Sequence, residues 1–498
     1  MFRYLRVTVL GCNPHARRRS LPPEGALSGF GRPCATNMAG LNERSATELL
    51  ALFAAREASP VEVLREVLAQ IERCEPHIAA TWALDADAAM QAARECEARW
   101  QRGQARALDG VPVTVKDNIA TRGTGVPLGT AATVLTPAAA DAPPAARLRE
   151  AGAVIVCKTT MPDYGMLSSG LSSFHKLARN PWDLSKNPGG SSAGAGAACA
   201  AGYGPLHLGT DIGGSIRLPA GWCGIVGFKP SLGRIPIHPP FAGRVAGPMT
   251  RTVQDAALAM RVLAQPDARD TMSLPPQSIA WSDLGIELKG LRIGLWLDAG
   301  WGQAVDAEIH AAINTAANAF EAAGAIVEPL APFMTRTMID GMDAFWRMRA
   351  WLDISALPVE RQARVLPYIR TWAEGGAALS GAQVFRGYSQ MAALRDAAIA
   401  ATQRFDFVLA PVSPVVSFPA EYASPLNDPA RPFEHIAFTL PFNMSEQPAA
   451  SVNAGYSTAG LPIGLQLIGH RFDDLGVLQM SRAWEQLRGP QRAWPVVG

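Results

Sequence analysis

The order of apolar segments along the chain predicts an α/β protein with a largely buried sheet. Short apolar runs typical of buried strands alternate with segments of helical periodicity. A chain of 498 residues can bury a large core, and 48% apolar with 18% charged residues is the composition of a globular protein. Alternation of this kind is typical of a sheet covered by helices.

Three helices are predicted ahead of the first strand. Ser45 and Glu48 have the spacing of a capping box at the start of the first helix. The second helix covers residues 60–74, with proline in its first turn, and the third covers an alanine-rich segment, 85–102. The periodicity of the apolar residues then changes. Residues 111–115 are rich in β-branched side chains and predict a buried strand.

The alternation continues through most of the remaining chain. Further helices are predicted over 145–151, 192–201 and 306–323, and further strands over 153–156, 224–228, 291–297, 325–330, 407–410 and 463–468. Strand patterns are missing from about 331 to 405, which predicts a helical insertion, and we expect it to cover the functional site. We expect most of its aromatic residues to lie in the core: Phe345, Trp346, Trp351, Trp372 and Phe385.

The first 37 residues differ in composition from the rest of the chain. They contain six arginines and one acidic residue, Glu24. Transit peptides are likewise rich in arginine and poor in acidic residues. The interpretation that we favour is that translation starts at Met38, just before the first helix. A lipobox-like stretch at 9–12 follows too short an apolar segment for a signal peptide. We therefore expect an extension over 1–37 and one domain over 38–498.

Composition argues against several functional classes. A net charge of +2 gives no basic surface for nucleic acid or anionic membranes, and no apolar run reaches the roughly 18 residues of a membrane span. The seven cysteines are scattered, and neither they nor the eight histidines show metal-ligand spacing. We expect a reduced, cytoplasmic protein without a metal or other cofactor. Composition does not determine the oligomeric state or the substrate, for which our hypothesis is a monomer or homodimer that acts on a small molecule.

Lys116 is the first candidate for a chemical role. It is one of six lysines among 45 basic residues, and it follows the predicted strand 111–115 directly. Burial makes a charged amine costly and lowers its pKa, so a buried Lys116 would be a neutral base. An ion pair with Asp117 at the strand end is an equally good interpretation of this position alone.

Two loops rich in glycine and serine supply candidate nucleophiles. Residues 187–196 have the sequence NPGGSSAGAG, which leads Ser191 into a small-residue helix without the lysine of a P-loop. Residues 209–219 have the sequence GTDIGGSIRLP, in which two glycines before Ser215 free backbone N–H groups for an oxyanion hole. Taken separately, Ser191 could cap a helix and Ser215 could occupy a turn.

Neither serine has an evident histidine base. His207 is the histidine nearest to these loops in the sequence, so a Ser-His-Asp triad is not favoured. Residues 173–176 fit the SxxK pattern of β-lactamases. No SDN or KTG segment accompanies this pattern, and a match of this length is expected by chance.

The lysine strand and the two serine loops together resemble the motifs of the amidase signature family. Lys116 matches a lysine that stands at the end of a strand in that family, and Ser191 and Ser215 match the family's GGSS and GGS loops. Further similar segments are 179–182, 224–230, 247–249 with Asp255, and 461–469. The resemblance extends from about Met38 to the C terminus. It implies a large mixed central sheet between helical layers.

The resemblance also implies roles for single residues. Ser215 would be the nucleophile, Ser191 a bridging serine and Lys116 the base, with a cis peptide bond between Gly190 and Ser191. The backbone N–H groups expected in the oxyanion hole belong to Ile212, Gly213 and Gly214, and supporting positions are Gly190, Ser192, Asp211 and Arg217. This sequence departs from the family at Ala193, where glycine is usual and an added methyl group would narrow the substrate pocket.

The implied reaction is the hydrolysis of carboxylic amides, with esters and carbamates as further substrates, through an acyl-enzyme. The alternative is the glutamine-hydrolysing subunit of a tRNA-dependent amidotransferase, which the apolar insertion over 331–405 weakly disfavours. A non-catalytic binding protein is less favoured, because all three triad residues are present. Candidate determinants of the substrate are the segments 121–136, 164–175 and 331–405.

Overall fold

The computed structural model describes residues 40–497, so the predicted extension, Met38 and two cysteines, Cys12 and Cys34, lie outside the described residues. The five cysteines inside that range are buried, with free thiols: Cys74, Cys96, Cys157, Cys199 and Cys223. The division into an extension over 1–37 and a domain over 38–498 stays a prediction.

Eleven strands form one mixed sheet in the described range. They are β1 Thr81–Trp82, β2 Pro112–Lys116, β3 Val154–Thr159, β4 Leu206–Asp211, β5 Val226–Lys229, β6 Val245–Thr250, β7 Arg292–Leu295, β8 Ile326–Pro329, β9 Phe407–Pro411, β10 Ala449–Tyr456 and β11 Pro462–Ile468. Their order is β1-β3-β2-β4-β6-β5-β10-β11-β9-β7-β8. The pairs β2–β3, β2–β4, β7–β8 and β7–β9 are parallel, and the other pairs are antiparallel.

Helices cover this sheet on both faces. They are α1 Ala46–Ala55, α2 Pro60–Ile78, α3 Ala86–Gln101, α4 Pro143–Glu150, α5 Ala193–Ala200, α6 Arg217–Cys223, α7 Val253–Leu263, α8 Ala307–Ala322, α9 Arg336–Ser355, α10 Val359–Gln362, α11 Pro367–Glu374, α12 Gly381–Thr402, α13 Pro441–Met444 and α14 Asp474–Leu487. Successive residues of β9 belong to different core clusters, with Phe407 and Leu409 in one and Val408 and Ala410 in the other. Because side chains alternate along a strand, the sheet is buried on both sides.

The start signals of the first helices are confirmed. Ser45 and Glu48 form a capping box at α1, in which the serine side chain accepts from the Glu48 N–H and the glutamate accepts from the Ser45 N–H. A second box, Ser59 with Glu62, precedes α2, where Pro60 occupies the first turn. The segment from 331 to 405 contains α9 to α12, and no described strand interrupts them; that this segment is an insertion stays a prediction.

Burial of the aromatic residues in the insertion is mixed. Trp346 and Trp372 are buried in the core, whereas Phe345 and Trp351 are half-buried and Phe385 is 70% exposed. Four strands lack a matching prediction, namely β1, β4, β6 and β10. For two of them the reason is composition: β4 carries His207, Thr210 and Asp211, and β6 contains glycine and proline, which are usually signals for turns. Strand β1 has only two residues.

Candidate active site

The candidate site lies where two parallel strands end side by side. β2 and β4 pair with Thr114 opposite His207, so the carboxyl ends of both strands reach the same edge of the sheet. Lys116 is the last residue of β2 and Asp211 is the last residue of β4. Open α/β sheets bind their ligands at such carboxyl ends, next to a change in strand order.

Lys116 is fully buried and contacts two serines. Its Nζ lies 2.8 Å from Ser191 Oγ and 2.9 Å from Ser192 Oγ, with the Thr210 carbonyl oxygen at 3.4 Å. Burial lowers the pKa of Lys116 to about 7, against the opposing effect of the Asp211 and Asp117 carboxylates. A large fraction of the amine is therefore neutral near pH 7.

Asp117 has other partners than Lys116. Its carboxylate accepts hydrogen bonds from the N–H groups of Leu128 and Gly129 at 3.0 and 2.9 Å, and it lies 2.7 Å from His175 Nε2. The carboxylate thus fixes the loop that follows β2. The interpretation of Lys116 as a simple ion pair with Asp117 is wrong, because within residues 40–497 the ammonium contacts serine hydroxyls and a carbonyl.

The Ser191 loop packs tightly against its surroundings. The Gly190–Ser191 peptide bond is cis, in agreement with the resemblance. Glycine is needed at 190 because a Cβ there would lie 2.4 Å from the Ser169 backbone nitrogen. Ser191 precedes α5, whose N-cap is Ser192, so the alternative role of Ser191 as a helix cap does not apply.

The Ser215 loop is tied to the Ser191 loop through the backbone. The Ser192 N–H donates to the Ser215 carbonyl oxygen at 3.1 Å, and Ser215 is buried with 9% of its surface exposed. Gly214 has φ +123°, which only glycine adopts without strain. Its N–H donates to Asp211 Oδ1 at 2.9 Å. Of the three expected oxyanion donors, Gly214 therefore already has an acceptor inside the turn.

A buried ion pair holds this turn in place. Arg217 is fully buried and binds the Asp211 carboxylate through Nε and Nη2 at 3.0 and 2.9 Å. Its remaining donors reach Asn443, the Thr439 carbonyl oxygen and Gln466. Burial raises the pKa of Asp211, but the charge and hydrogen bonds of Arg217, with a further hydrogen bond from Asn443, outweigh burial and keep this pKa low, so the Asp211 carboxylate is ionised.

His207 has a structural role in the strand. Its Nδ1 lies 2.8 Å from Thr114 Oγ1 and its Nε2 lies 3.0 Å from the Gly204 carbonyl oxygen. Burial lowers the pKa of His207 to about 3, so the ring is neutral. Both ring nitrogens are thus occupied by partners other than Ser191 and Ser215.

Two adjoining cavities open beside the segment 209–219 that carries Ser215. The smaller one, the nucleophile chamber, is lined by Gly165, Met166, Leu167, Ser168, Ile212, Gly213, Ser215, Trp346, Arg349, Phe433 and Ile436. The larger one, the outer cavity, has a volume of about 250 Å³ and is lined chiefly by Asn118, Ile119, Leu128, Met161, Tyr164, Met166, Thr210, Ile237, His238, Arg244, Arg349 and Asp353. Met166 and Arg349 line both cavities. The chamber is largely apolar, and most charged groups line the outer cavity.

Each of the three segments expected to determine the substrate contributes to these walls. Leu128 comes from 121–136, Tyr164 and Met166 from 164–175, and Trp346 and Arg349 from the helical insertion. Other lining residues were not predicted: Ile237, His238, Arg244, Phe433 and Ile436. They carry no local motif, since only the tertiary fold brings them to the cleft.

The part of the chain that the structure describes lacks two further features. No group of three or more histidine, cysteine, aspartate or glutamate side chains between residues 40 and 497 is arranged to hold a metal ion. Within the same range, no helix has both the length and the apolar character needed to cross a membrane.

Comparison with known proteins identifies the family. The family model described as Amidase matches residues 62–478, which is most of the chain. The chain belongs to the amidase signature family. The family match makes it an amidase-signature hydrolase, in agreement with the resemblance of its motifs.

Among curated relatives, a glutamyl-tRNA(Gln) amidotransferase subunit of Myxococcus xanthus is 34% identical over 476 residues, covering 90% of this chain and 97% of that protein. The corresponding protein from an Anaeromyxobacter species is 35% identical, with 89% and 96% covered. Among solved structures, a bacterial aryl acylamidase of the amidase signature family superposes with a TM-score of 0.83. It is 31% identical and covers 89% of this chain and 96% of its own.

Proposed function

We propose that this protein hydrolyses amide bonds of substrates with an apolar acyl group, through an acyl-enzyme on Ser215. The observation that carries the proposal is the position of Ser215 on the wall of an apolar chamber, together with the buried Lys116–Ser191 contact of 2.8 Å. A hydroxyl nucleophile needs a base, and a lysine whose pKa burial lowers to about 7 can serve as one.

The proposed relay uses three residues in sequence. Neutral Lys116 takes a proton from Ser191, Ser191 takes one from Ser215, and Ser215 Oγ attacks the amide carbon. The C–N bond then breaks, and the relay returns the proton to the leaving amine. Water attacks the resulting ester in a second round, which releases the carboxylic acid and restores Ser215.

Charge develops on the carbonyl oxygen during both attacks. The N–H groups of Ile212 and Gly213 are the candidate donors, because these residues line the chamber together with Ser215. The N–H of Gly214 could join them only by giving up its hydrogen bond to Asp211. The buried Asp211–Arg217 pair supports this turn and keeps the donors oriented before the substrate arrives.

The chamber favours an apolar acyl group because its walls are large hydrophobic side chains. Trp346 and Ile436 are buried, and the Phe433 ring packs edge-on against Trp346 with a centroid distance of 5.2 Å. An acyl chain that replaces water among these side chains gains about 25 cal/mol per Å² of apolar surface removed from water.

A second candidate is the glutamine-hydrolysing subunit of a tRNA-dependent amidotransferase. The names of the curated relatives from Myxococcus xanthus and Anaeromyxobacter support this candidate better than the first, and their alignments span nearly the whole of those proteins. In this role the protein would act with partner subunits and tRNA. The apolar walls of the chamber and the aryl acylamidase neighbour favour the first candidate.

One experiment separates the two candidates. The purified chain is assayed alone for release of p-nitroaniline from acetyl, pentanoyl and phenylacetyl p-nitroanilides, and for release of ammonia from glutamine. We expect hydrolysis of the pentanoyl and phenylacetyl anilides that is lost in Ser215→Ala, with little ammonia from glutamine. Strong glutamine turnover without anilide hydrolysis would support the amidotransferase role.

The same protein is treated with a fluorophosphonate, and the modified residue is identified by mass spectrometry. Modification of Ser215 in the folded wild type, and none in Ser215→Ala, is expected for an activated nucleophile. An unmodified Ser215 together with inactivity in every assay would favour a binding protein without catalytic activity.

A further inference from the structure

Two arginines meet in the outer cavity beside the nucleophile chamber. Arg349, from α9, lines both cavities, and Arg244, from the loop before β6, lines the outer one. Both side chains are half-buried. Burial, reinforced by the positive charge of Arg349, lowers the pKa of Arg244 to about 10, because both effects disfavour its charged form.

Neighbouring groups hold the two guanidinium groups without neutralising them. Arg349 stacks on the Phe241 ring, with its Cζ 4.1 Å from the ring centre, and Arg244 donates to the Pro239 carbonyl oxygen. Among the described residues, no carboxylate lies within the 4.0 Å of an ion pair from either guanidinium. The segment 239–244 therefore positions both arginines and leaves their charge available.

The acidic groups near the arginines are accounted for. Asp353 lines the outer cavity one helical turn after Arg349, but it is exposed to solvent, and its charge only moderates the lowering of the Arg349 pKa by burial. Asp270 influences Arg244 from farther away, and its carboxylate accepts hydrogen bonds from the N–H groups of Ile237 and Met272 at 2.8 Å.

We propose that the outer cavity binds a carboxylate at the far end of the substrate acyl chain, through Arg349 and Arg244. This inference rests on the proposed function, in which the acyl group occupies the nucleophile chamber. Met166 and Arg349 line both cavities, so an acyl chain attached to Ser215 would extend past Met166 toward the guanidinium. The planar guanidinium binds carboxylates with paired, charge-assisted hydrogen bonds.

The substrate class is therefore amides of dicarboxylic acids that keep one free carboxylate. The middle of the acyl chain packs against Trp346 and Ile436, and its charged end leaves the apolar chamber for the arginines. Free glutamine also carries a carboxylate at this end of its side-chain amide, together with an ammonium group.

The test compares matched substrates on three proteins. Glutaryl p-nitroanilide carries a terminal carboxylate, and pentanoyl p-nitroanilide has the same chain length without it. In Arg349→Met we expect kcat/KM for the glutaryl substrate to fall by about 30-fold, the typical effect of lost hydrogen bonds to a charged group. The ratio of kcat/KM for the glutaryl substrate to kcat/KM for the pentanoyl substrate should fall by about 10-fold or more. Arg244→Met should show the same selectivity with a smaller loss, about 10-fold.

Two controls separate recognition from folding. Arg370→Met removes an arginine of the same helical layer that lines neither cavity and should leave both substrates unchanged. Arg349→Lys keeps the charge and should recover part of the glutaryl activity. If the wild type shows no preference for succinyl, glutaryl or adipyl anilides over neutral chains, or if Arg349→Met slows both substrates equally, the inference is wrong.

A binding measurement keeps the inference testable without turnover. Titration calorimetry of glutarate with Ser215→Ala should show binding that Arg349→Met, introduced into the same background, removes. Glutarate binding without hydrolysis of any amide would support the arginine site and refute the proposed function. Hydrolysis of neutral anilides without glutarate binding would refute the arginine site and leave the proposed function standing.

Discussion

The buried polar network at the ends of β2 and β4 and the helical insertion contribute to one cleft in different ways. In the network, Lys116, Asp211 and Arg217 are almost fully enclosed, and each makes several hydrogen bonds inside the fold. Helix α9 of the insertion instead presents Trp346 and Arg349 to the cavities. Under the proposed function, the network carries out the chemistry and the insertion selects the substrate.

Substitution of the bridging serine should have the largest effect. Ser191 and Ser192 both lie within hydrogen-bond distance of Lys116 Nζ, at 2.8 and 2.9 Å, but only Ser191 is assigned to the relay. Ser191→Ala should lower kcat/KM for pentanoyl p-nitroanilide by about 10³-fold, because it interrupts proton transfer. Ser192→Ala should cost about 10-fold, since it removes only a hydrogen bond that orients the lysine.

The measurement is steady-state kinetics at alkaline pH, with circular dichroism to verify that both variants fold. Equal losses in the two variants would show that contact with Lys116, and not a relay through one serine, determines the rate.

The rate should also depend on pH through Lys116. The pKa of this amine lies at about 7, and only the neutral form accepts a proton. Activity should therefore rise as the pH increases through 7 and level off above it, and below pH 7 kcat/KM should fall about tenfold per pH unit. A pH–rate profile from 5.5 to 9.5 measures this, and a rate already constant at the acid end contradicts the base role.

Lys229 provides a control for that assignment. It is another buried lysine whose pKa burial lowers to about 7, but its Nζ donates to the Pro230 carbonyl oxygen and contacts neither serine. Lys229→Met should keep the inflection in the pH profile, even if the overall rate changes. Loss of the inflection in this variant would show that the titration belongs to Lys229 and not to Lys116.

Lys116, Ser191 and Ser215 could be located from the sequence, whereas many residues that line the two cavities could not. The reason is physical. Lys116 follows an apolar strand, and Ser191 and Ser215 each follow a glycine pair, so contiguous residues carry the signal. Arg244 and Phe433 reach the cleft only through tertiary folding. Strand β4, between the two serine loops, was also missed, because polar residues interrupt its apolar pattern and His207 has its partner, Thr114, 93 residues away in the sequence.

Trp346 should affect selectivity more than catalysis. Trp346→Leu removes part of the chamber wall, so kcat/KM for phenylacetyl p-nitroanilide should fall about 10-fold, equivalent to about 1.4 kcal/mol of lost apolar contact. Hydrolysis of the acetyl anilide should change by less than about threefold, because a methyl group buries little surface. Trp372→Leu is the matched control, since Trp372 is buried in the same helical layer and lines neither cavity.

Trp372→Leu should lower the thermal unfolding midpoint and leave the ratio of the two substrates unchanged. A shift in that ratio as large as the one in Trp346→Leu would mean that selectivity follows general packing of the insertion and not contact with the acyl group.

Thr439 should have the smallest effect, and it tests whether the network and the insertion are separable. Its Oγ1 donates to the Gly213 carbonyl oxygen at 2.7 Å, so it braces the turn that carries the proposed oxyanion donors. Thr439→Val keeps the shape and removes the donor, which should lower kcat by about threefold to fivefold and stability by about 1 kcal/mol. KM should stay constant, and Thr439→Ser should restore kcat because it restores the hydroxyl. If the valine variant instead raised KM for long acyl chains and left kcat unchanged, the turn would act in substrate selection, and chemistry and selectivity would not be divided between the two regions.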